Sequence, residues 1–273
     1  MPGPKQHLRP EIRRRYAKCP IDCRVYQDSV IRTLGEYFAV FHSLIGPSSD
    51  KAFWFRGHDS VQFRLAPSAL RYTRLEERNR ALELVTEMKR FLEMKLPKPP
   101  ARENDLEWIQ VAQHFGLPTR LLDWTQNAAV ALFFACWKHQ GEDGLVVTLN
   151  PIELNQSVDP RTSRILNPQR DADIISPYLK LDGRIKTNGK RTIAINPTWN
   201  TERIAMQQGA FTLHGSRRFE LDQQQASSLL YVPIFREHKD SLLTELERVG
   251  IGEMFIFPEP EHVCAHLRRH AKL

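Results

Sequence analysis

The stretch that most restricts the fold runs from Gln126 to Trp137, QNAAVALFFACW. It is apolar on every side at helical spacing, so the helix it predicts must be covered all round and belongs to the core of a domain, not its surface. Just before it lies WIQVAQHFGLPTRLLDWT. Trp108, Ile109, Val111, Ala112 and Phe115 recur as one apolar helical face; Gly116 then offers a left-handed exit and Pro118 forbids continuation. The segment PTRLLDW is expected to be a tight turn between two helices. It would set Thr119, Arg120, Asp123, Trp124 and Thr125 around the start of the second helix, with Thr125 or Asp123 as its cap. Free N–H groups at such an end suit an anionic or carbonyl-bearing ligand. A buried Arg120–Asp123 ion pair that merely fixes the turn is equally compatible with these residues.

The chain has 273 residues, enough for one large domain or two small ones with a proper core. No apolar run reaches the roughly 20 residues that span a membrane, and the N-terminus carries no apolar signal region. Cysteines at 19, 23, 136 and 264 give neither a disulfide framework nor paired metal spacing, so a reduced cytoplasm is expected and no metal site. The net charge of +7 and pI of 9.3 lean toward anionic partners such as nucleic acid. Part of that charge is concentrated early: Lys5, Arg9, Arg13, Arg14, Arg15 and Lys18 stand against Glu11 alone. Residues 1–24 therefore read as a basic arm, with Tyr16 its one Phe, Trp or Tyr and so no interleaved series for base stacking, and a solvated terminus of no consequence reads equally well.

Elsewhere the pattern predicts a helix within Val25–Ile45 and a short buried strand, Ala52–Arg56, with Arg56 at its tip and Gly57 ending it. VQFRLAPSAL reads as a second strand-like piece. Leu75–Leu96 reads as a long charged helix with an apolar seam of Leu82, Val85, Met88, Phe91 and Leu92, and Pro97, Pro99 and Pro100 form a stiff linker behind it. LVVTL is a strand, Pro151–Asn188 an irregular surface excursion, and RTIAIN another strand. Arg203–Gln208 is a helix or loop feeding the strand AFTLHG. LLYVPIF, a helix at Ser241–Val249 and a last helix from His262 to Lys272 complete the chain. Arg56 is suited to fork onto a pyrophosphate or carboxylate, or to pair with a core acid such as Asp123.

The motif HFGLPTRLLDWT, with FWFRG (Phe53–Gly57) and RIAMQQGAF (Arg203–Phe211), resembles the FRG domain family. The resemblance implies one FRG domain over residues 25–273, of the α+β class, with a split, mixed or antiparallel sheet and flanking helices in an ADP-ribosyltransferase-like fold that clamps NAD. By the same resemblance Arg56 and Gly57 match the early-strand NAD contact, Thr125 lines the nicotinamide pocket with Trp124 stacking nearby, and Gln207 and Gln208 stand where a glutamate is usual. The implied catalytic set is Arg56, His114, Thr125, Gln207 and Gln208. The implied NAD-binding set is Arg56, Gly57, Thr119, Arg120, Asp123, Trp124, Thr125 and Arg203. The amides of Gln207 and Gln208 lack the negative charge that steadies a developing ribosyl cation, which leaves the task to another acid, such as Glu202 or Glu220, or leaves activity weak.

The function implied is transfer of ADP-ribose from NAD, used as a substrate, to a nucleic acid or protein. That is the chemistry of a toxin or phage-defence effector, with an antitoxin or other partner protein. Two other readings stand beside it: a nucleotide- or RNA-binding module without catalysis, and a nuclease-like toxin using His114, Asp123 and Arg120 without NAD.

Overall fold

In the computed structural model, which describes residues 9–17, 19, 29–45, 52–179, 191–199, 201–215, 221 and 229–271, LLDWT is a strand and not a turn. The strands are β1 (Trp54–His58), β2 (Leu121–Thr125), β3 (Gly144–Leu149), β4 (Ile193–Ile195), β5 (Gly209–Leu213) and β6 (Leu229–Ile234). They form one sheet in the order β4-β5-β2-β1-β3-β6, with every pairing antiparallel. Helices flank it: α1 (Pro10–Arg15), α2 (Leu34–Ile45), α3 (Ser68–Arg71), α4 (Leu75–Leu92), α5 (Asp105–His114), α6 (Ala128–Cys136), α7 (Pro151–Val158), α8 (Ala172–Leu179), α9 (Glu202–Met206), α10 (Lys239–Arg248), α11 (Glu253–Ile256) and α12 (Pro260–His270). The class is α+β, and among the described residues no helix is long and apolar enough to cross a membrane.

The sheet is continuous but weakly joined at one place. β3 pairs with β1 over five residues and with β6 over six, whereas β1 meets β2 only at Phe55↔Thr125. Alternation along the strands sends successive side chains to opposite faces. On one face a single cluster runs the full width, from Ala194 on β4 through Ala210, Leu122, Trp124 and Trp54 to Leu145 and Tyr231. On the other face the core is in two halves. Phe55, Val146, Val232 and Ile234 pack under α2, α6 and α10, while Leu121, Ile193, Ile195, Phe211 and Leu213 pack under α4, α5 and α8. The boundary between the halves follows the one-rung seam between β1 and β2.

Helix α6 is buried nearly all round, as its composition requires. It presses so closely on β1 that a Cβ built on Gly57 would lie 2.0 Å from the Ala131 carbonyl oxygen and 2.5 Å from the Ala135 nitrogen. Its N-cap is Asn127, whose side chain accepts from the Ala129 N–H, and neither Thr125 nor Asp123, because both are held in β2. Gly116, at φ +81°, ends the preceding helix as expected.

Several other expectations are corrected. Gly57 lies inside β1, which continues to His58, so Arg56 is mid-strand. VQFRLAPSAL is a loop leading into α3, since it pairs with no strand. The long helix stops at Leu92, and Phe91 points outward, 70% exposed. The helix in the first segment starts at Leu34, and residues 25–28 of the expected span lie outside the described residues. The supposed excursion after Pro151 contains α7 and α8. The buried Asn155 on α7 donates to the Ala194 carbonyl and accepts from the Ala194 N–H, and Leu166 makes a parallel bridge to Ile195, so the outer edge of β4 is covered. Residues 180–190 of that stretch are outside the described residues.

The N-terminal segment is docked where it is described. Ile12 and Tyr16 are fully buried in the continuous core, and the Tyr16 hydroxyl donates to the Gly144 carbonyl at 2.8 Å. Arg15 is bound to Glu237 and Asp143. One charge of the expected basic arm, that of Arg15, is thus paired with carboxylates far along the chain.

Candidate functional site

At the seam between the two half-cores the structure has a cleft of about 260 Å³. Its walls come from β1 (Phe55, Arg56, Gly57), β2 (Asp123, Trp124, Thr125), α5 (Gln110, Gln113, His114), α6 (Phe134), α9 with its C-cap (Arg203, Ile204, Gln207) and β5 (Phe211).

Arg56 replaces a missing rung of the ladder. Where β1 and β2 splay, its Nη1 donates to the main-chain carbonyl of Asp123 at 2.7 Å, and its Nε donates to Nε2 of His58 at 3.0 Å. The Arg56–Asp123 contact expected between side chains is therefore made to the backbone. Burial pulls the Arg56 pKa down to about 10, partly opposed by Asp123, so the group stays cationic at neutral pH. His58, buried beside this guanidinium, has its pKa held well below the usual histidine range, first by burial and then by the Arg56 charge.

Opposite stands a polar ridge of α5. Gln113 donates to the Asp123 carboxylate at 2.6 Å and accepts from the Thr119 hydroxyl, which in turn accepts from the Leu121 N–H. Thr119 thus positions Gln113 from behind and does not line the cleft. Thr125 donates to the Gln207 carbonyl at 2.6 Å and accepts from the Asn127 N–H, joining the end of β2 to the end of α9. The Gln207 amide donates to the Ile256 carbonyl at 2.9 Å, which ties this corner to α11.

The C-terminal segment closes one end. Arg203 lies over the Phe257 ring, 4.9 Å from its centroid. Glu259 approaches Arg203 Nη1 at 3.6 Å and His114 Nδ1 at 4.0 Å. Both Glu259 carboxylate oxygens are buried with no hydrogen-bond partner among the described residues. Burial lowers the His114 pKa, Glu259 opposes that shift, and Arg203 reinforces it.

Of the residues singled out from sequence, Arg56, Gly57, His114, Asp123, Trp124, Thr125, Arg203 and Gln207 all meet at the cleft. Three do not. Arg120, just before β2, is buried and donates to the Tyr178 carbonyl at 3.0 Å, while the Asp123 carboxylate takes Gln113, so the alternative of an Arg120–Asp123 ion pair is not realised. Gln208 is exposed at φ +46° and serves the turn, its carbonyl accepting from the Gln126 N–H. Thr119 acts through Gln113. Trp124 touches the cleft, but its indole sits in the continuous core with its N–H on the Thr212 hydroxyl, so it offers no stacking platform. Glu202 is exposed, and Glu220 lies outside the described residues.

The sequence reading passed over Gln110, Gln113, Phe55, Phe134, Phe211 and Glu259. Gln110, Gln113 and His114 share a helical face at i, i+3 and i+4, a polar stripe inside an otherwise apolar helix, and that signal was readable. Glu259 had no local signal at all.

The FRG domain family model matches residues 51–144 of the chain. The match takes in β1, α5, β2 and α6, and stops short of Arg203, Gln207 and Glu259. No curated protein and no solved structure matches the chain.

Proposed function

We propose that the chain is an ADP-ribosyltransferase-like protein that uses NAD as a substrate and modifies a nucleic acid or protein, in the manner of a toxin or phage-defence effector. The observation that carries this reading is convergence. Arg56, Thr125 and Gln207 come from three distant segments of the chain, and all three line one cleft.

The lining suits a nucleotide. Arg56 and Arg203 supply positive charge for phosphate, Gln207 supplies an amide for a hydroxyl, and Phe55, Phe134 and Phe211 supply an apolar floor for a ring. At about 260 Å³ the cleft lies below the ~300–1,000 Å³ typical of small-molecule pockets, so it matches the nicotinamide-ribose half, with the rest of the dinucleotide running out past Arg56 or Arg203. Bound NAD would supply an ADP-ribosyl group, its ribose carbon taking a bond from the acceptor as nicotinamide leaves with the bonding pair. His114, which lines the cleft with its Nδ1 4.0 Å from Glu259, would take the acceptor's proton. The carboxylate nearest the ribose would be Asp123, which lines the cleft, in place of the glutamate that RIAMQQG lacks.

That missing glutamate favours a second reading, a nucleotide- or RNA-binding module without turnover. The nuclease-like reading loses Arg120, which is buried away from the cleft. Incubation with labelled NAD and lysate separates them. Nicotinamide release with label on an acceptor supports transfer; salt-sensitive binding without release supports the binding module. Arg56→Ala is expected to abolish NAD binding, and unchanged affinity in that variant would refute the assignment of the cleft.

A further inference from the structure

Gln110 is 1% exposed and is among the residues lining the cleft, yet its buried Oε1 and Nε2 have no hydrogen-bond partner among the described residues. A primary amide carries two N–H donors and an acceptor, and leaving both ends buried and unpaired is costly unless something else answers them. Side chains close by do not: Gln113, one turn on, is spent on Asp123 and Thr119. Of the other lining groups, Phe55, Phe134 and Phe211 are aromatic and cannot serve as full partners. The other buried residues of this helix, Leu106, Trp108, Ile109, Val111 and Ala112, are all apolar.

We infer that Gln110 reads the ligand: its amide pairs, donor to acceptor and acceptor to donor, with a planar ring group that presents a neutral acceptor and donor side by side. The aromatic side chains would cover the ring faces while the amide fixes which edge points inward. Two such edges occur in the dinucleotide proposed above, the carboxamide of nicotinamide and the amino edge of adenine, and the inference rests on that reading only for this choice of ligand. A carboxylate in place of the carboxamide would keep the acceptor and lose the donor.

The test uses the full chain and direct binding by calorimetry, with nicotinamide against nicotinic acid in one arm and adenine against purine, which lacks the amino donor, in the other. The parent is expected to prefer the amide or amino form in one arm by roughly tenfold or more, which identifies the source of the edge. Gln110→Leu, and the volume-matched Gln110→Met, are expected to bind that ligand roughly 10- to 100-fold more weakly and to lose the preference. Without ligand, both variants should melt at or above the parent temperature, by roughly 2–6 °C, because two unpaired buried atoms are removed. The inference is overturned if neither arm shows a preference, if the variants keep it, or if they melt well below the parent. Failure of the transfer reading looks different: nicotinamide binds with a Gln110-dependent preference while labelled NAD is never consumed. Conversely, NAD turnover with an unchanged KM in Gln110→Leu would remove the role of Gln110 and leave transfer standing.

Discussion

Gly57→Ala tests the claim that α6 and β1 touch backbone to backbone at the cleft. The added methyl would sit 2.0 Å from the Ala131 oxygen, 2.5 Å from the Ala135 nitrogen and 2.8 Å from the Phe134 Cβ. Main-chain atoms of a buried helix cannot swing aside as a lysine tip can, so the whole of α6 must retreat by about 1 Å. Overpacking of a tight core costs about 1–3 kcal/mol, and the upper end applies here. Against it stands the ~0.4–1 kcal/mol that alanine gains over glycine by restricting the unfolded chain. The net is about 2–2.5 kcal/mol, a fall in melting temperature of roughly 4–10 °C for a chain near this size. Differential scanning calorimetry on the variant and on Gly141→Ala checks it. Gly141 has nothing within 4 Å of its built Cβ, so that variant should match or slightly exceed the parent. If Gly57→Ala melted within about 2 °C of the parent, or if both variants fell alike, the close contact would not be what demands glycine at 57.

Trp124→Phe should cost about 1 kcal/mol through the lost bond to Thr212, yet leave ligand affinity unchanged, because the indole faces the core; denaturant titration and calorimetry report the two effects separately. His214, fully buried between Thr192 and Thr212, has a pKa driven down to about 3 by burial first and the Arg56 charge second. The unfolded chain binds a proton near pH 6.5 that the fold refuses, so stability is full above that pH and falls as pH drops toward 3, by up to roughly 4 kcal/mol. Urea titrations from pH 7 to 4 should show this slope, and His214→Gln should flatten it. Glu237, held at about 2 by its hydrogen bonds to Arg15, contributes stability above about pH 4.5 that disappears as pH falls toward 2. Its carboxylate is partly exposed, so the effect is about 1 kcal/mol or less, and it should be missing from Arg15→Ala in the same titrations.

Helix α6 was readable from sequence because a segment apolar on all sides has only one place to go. The strands of the sheet were mostly readable for the same reason. LLDWT was not: between a helix stop and a helix start, five residues with a central aspartate look like a turn, and what makes them a strand is pairing to β5, far along the chain. The same non-locality divides the site. Arg56, Thr125 and Gln207 were found through their motifs, and Gln110 could have been found from its place in an apolar helix. Glu259 reaches His114 only because the C-terminal segment folds back across α9, and nothing near residue 259 announces it. Arg120 shows the opposite failure: the motif names it, but it is buried against the Tyr178 carbonyl of α8 and does not reach the cleft.

The docking of Ile12, Arg15 and Tyr16 sets the timetable of folding during synthesis. Arg15 binds a residue 222 positions later, and Tyr16 reaches the carbonyl of Ile234. At ~5–20 residues per second, these early apolar side chains leave the ribosome on the order of 10–40 s before the surface that shelters them exists. Completion of the wide-face core is therefore a late event, and the segment around Ile12 must stay out of other associations until the last strand has been made.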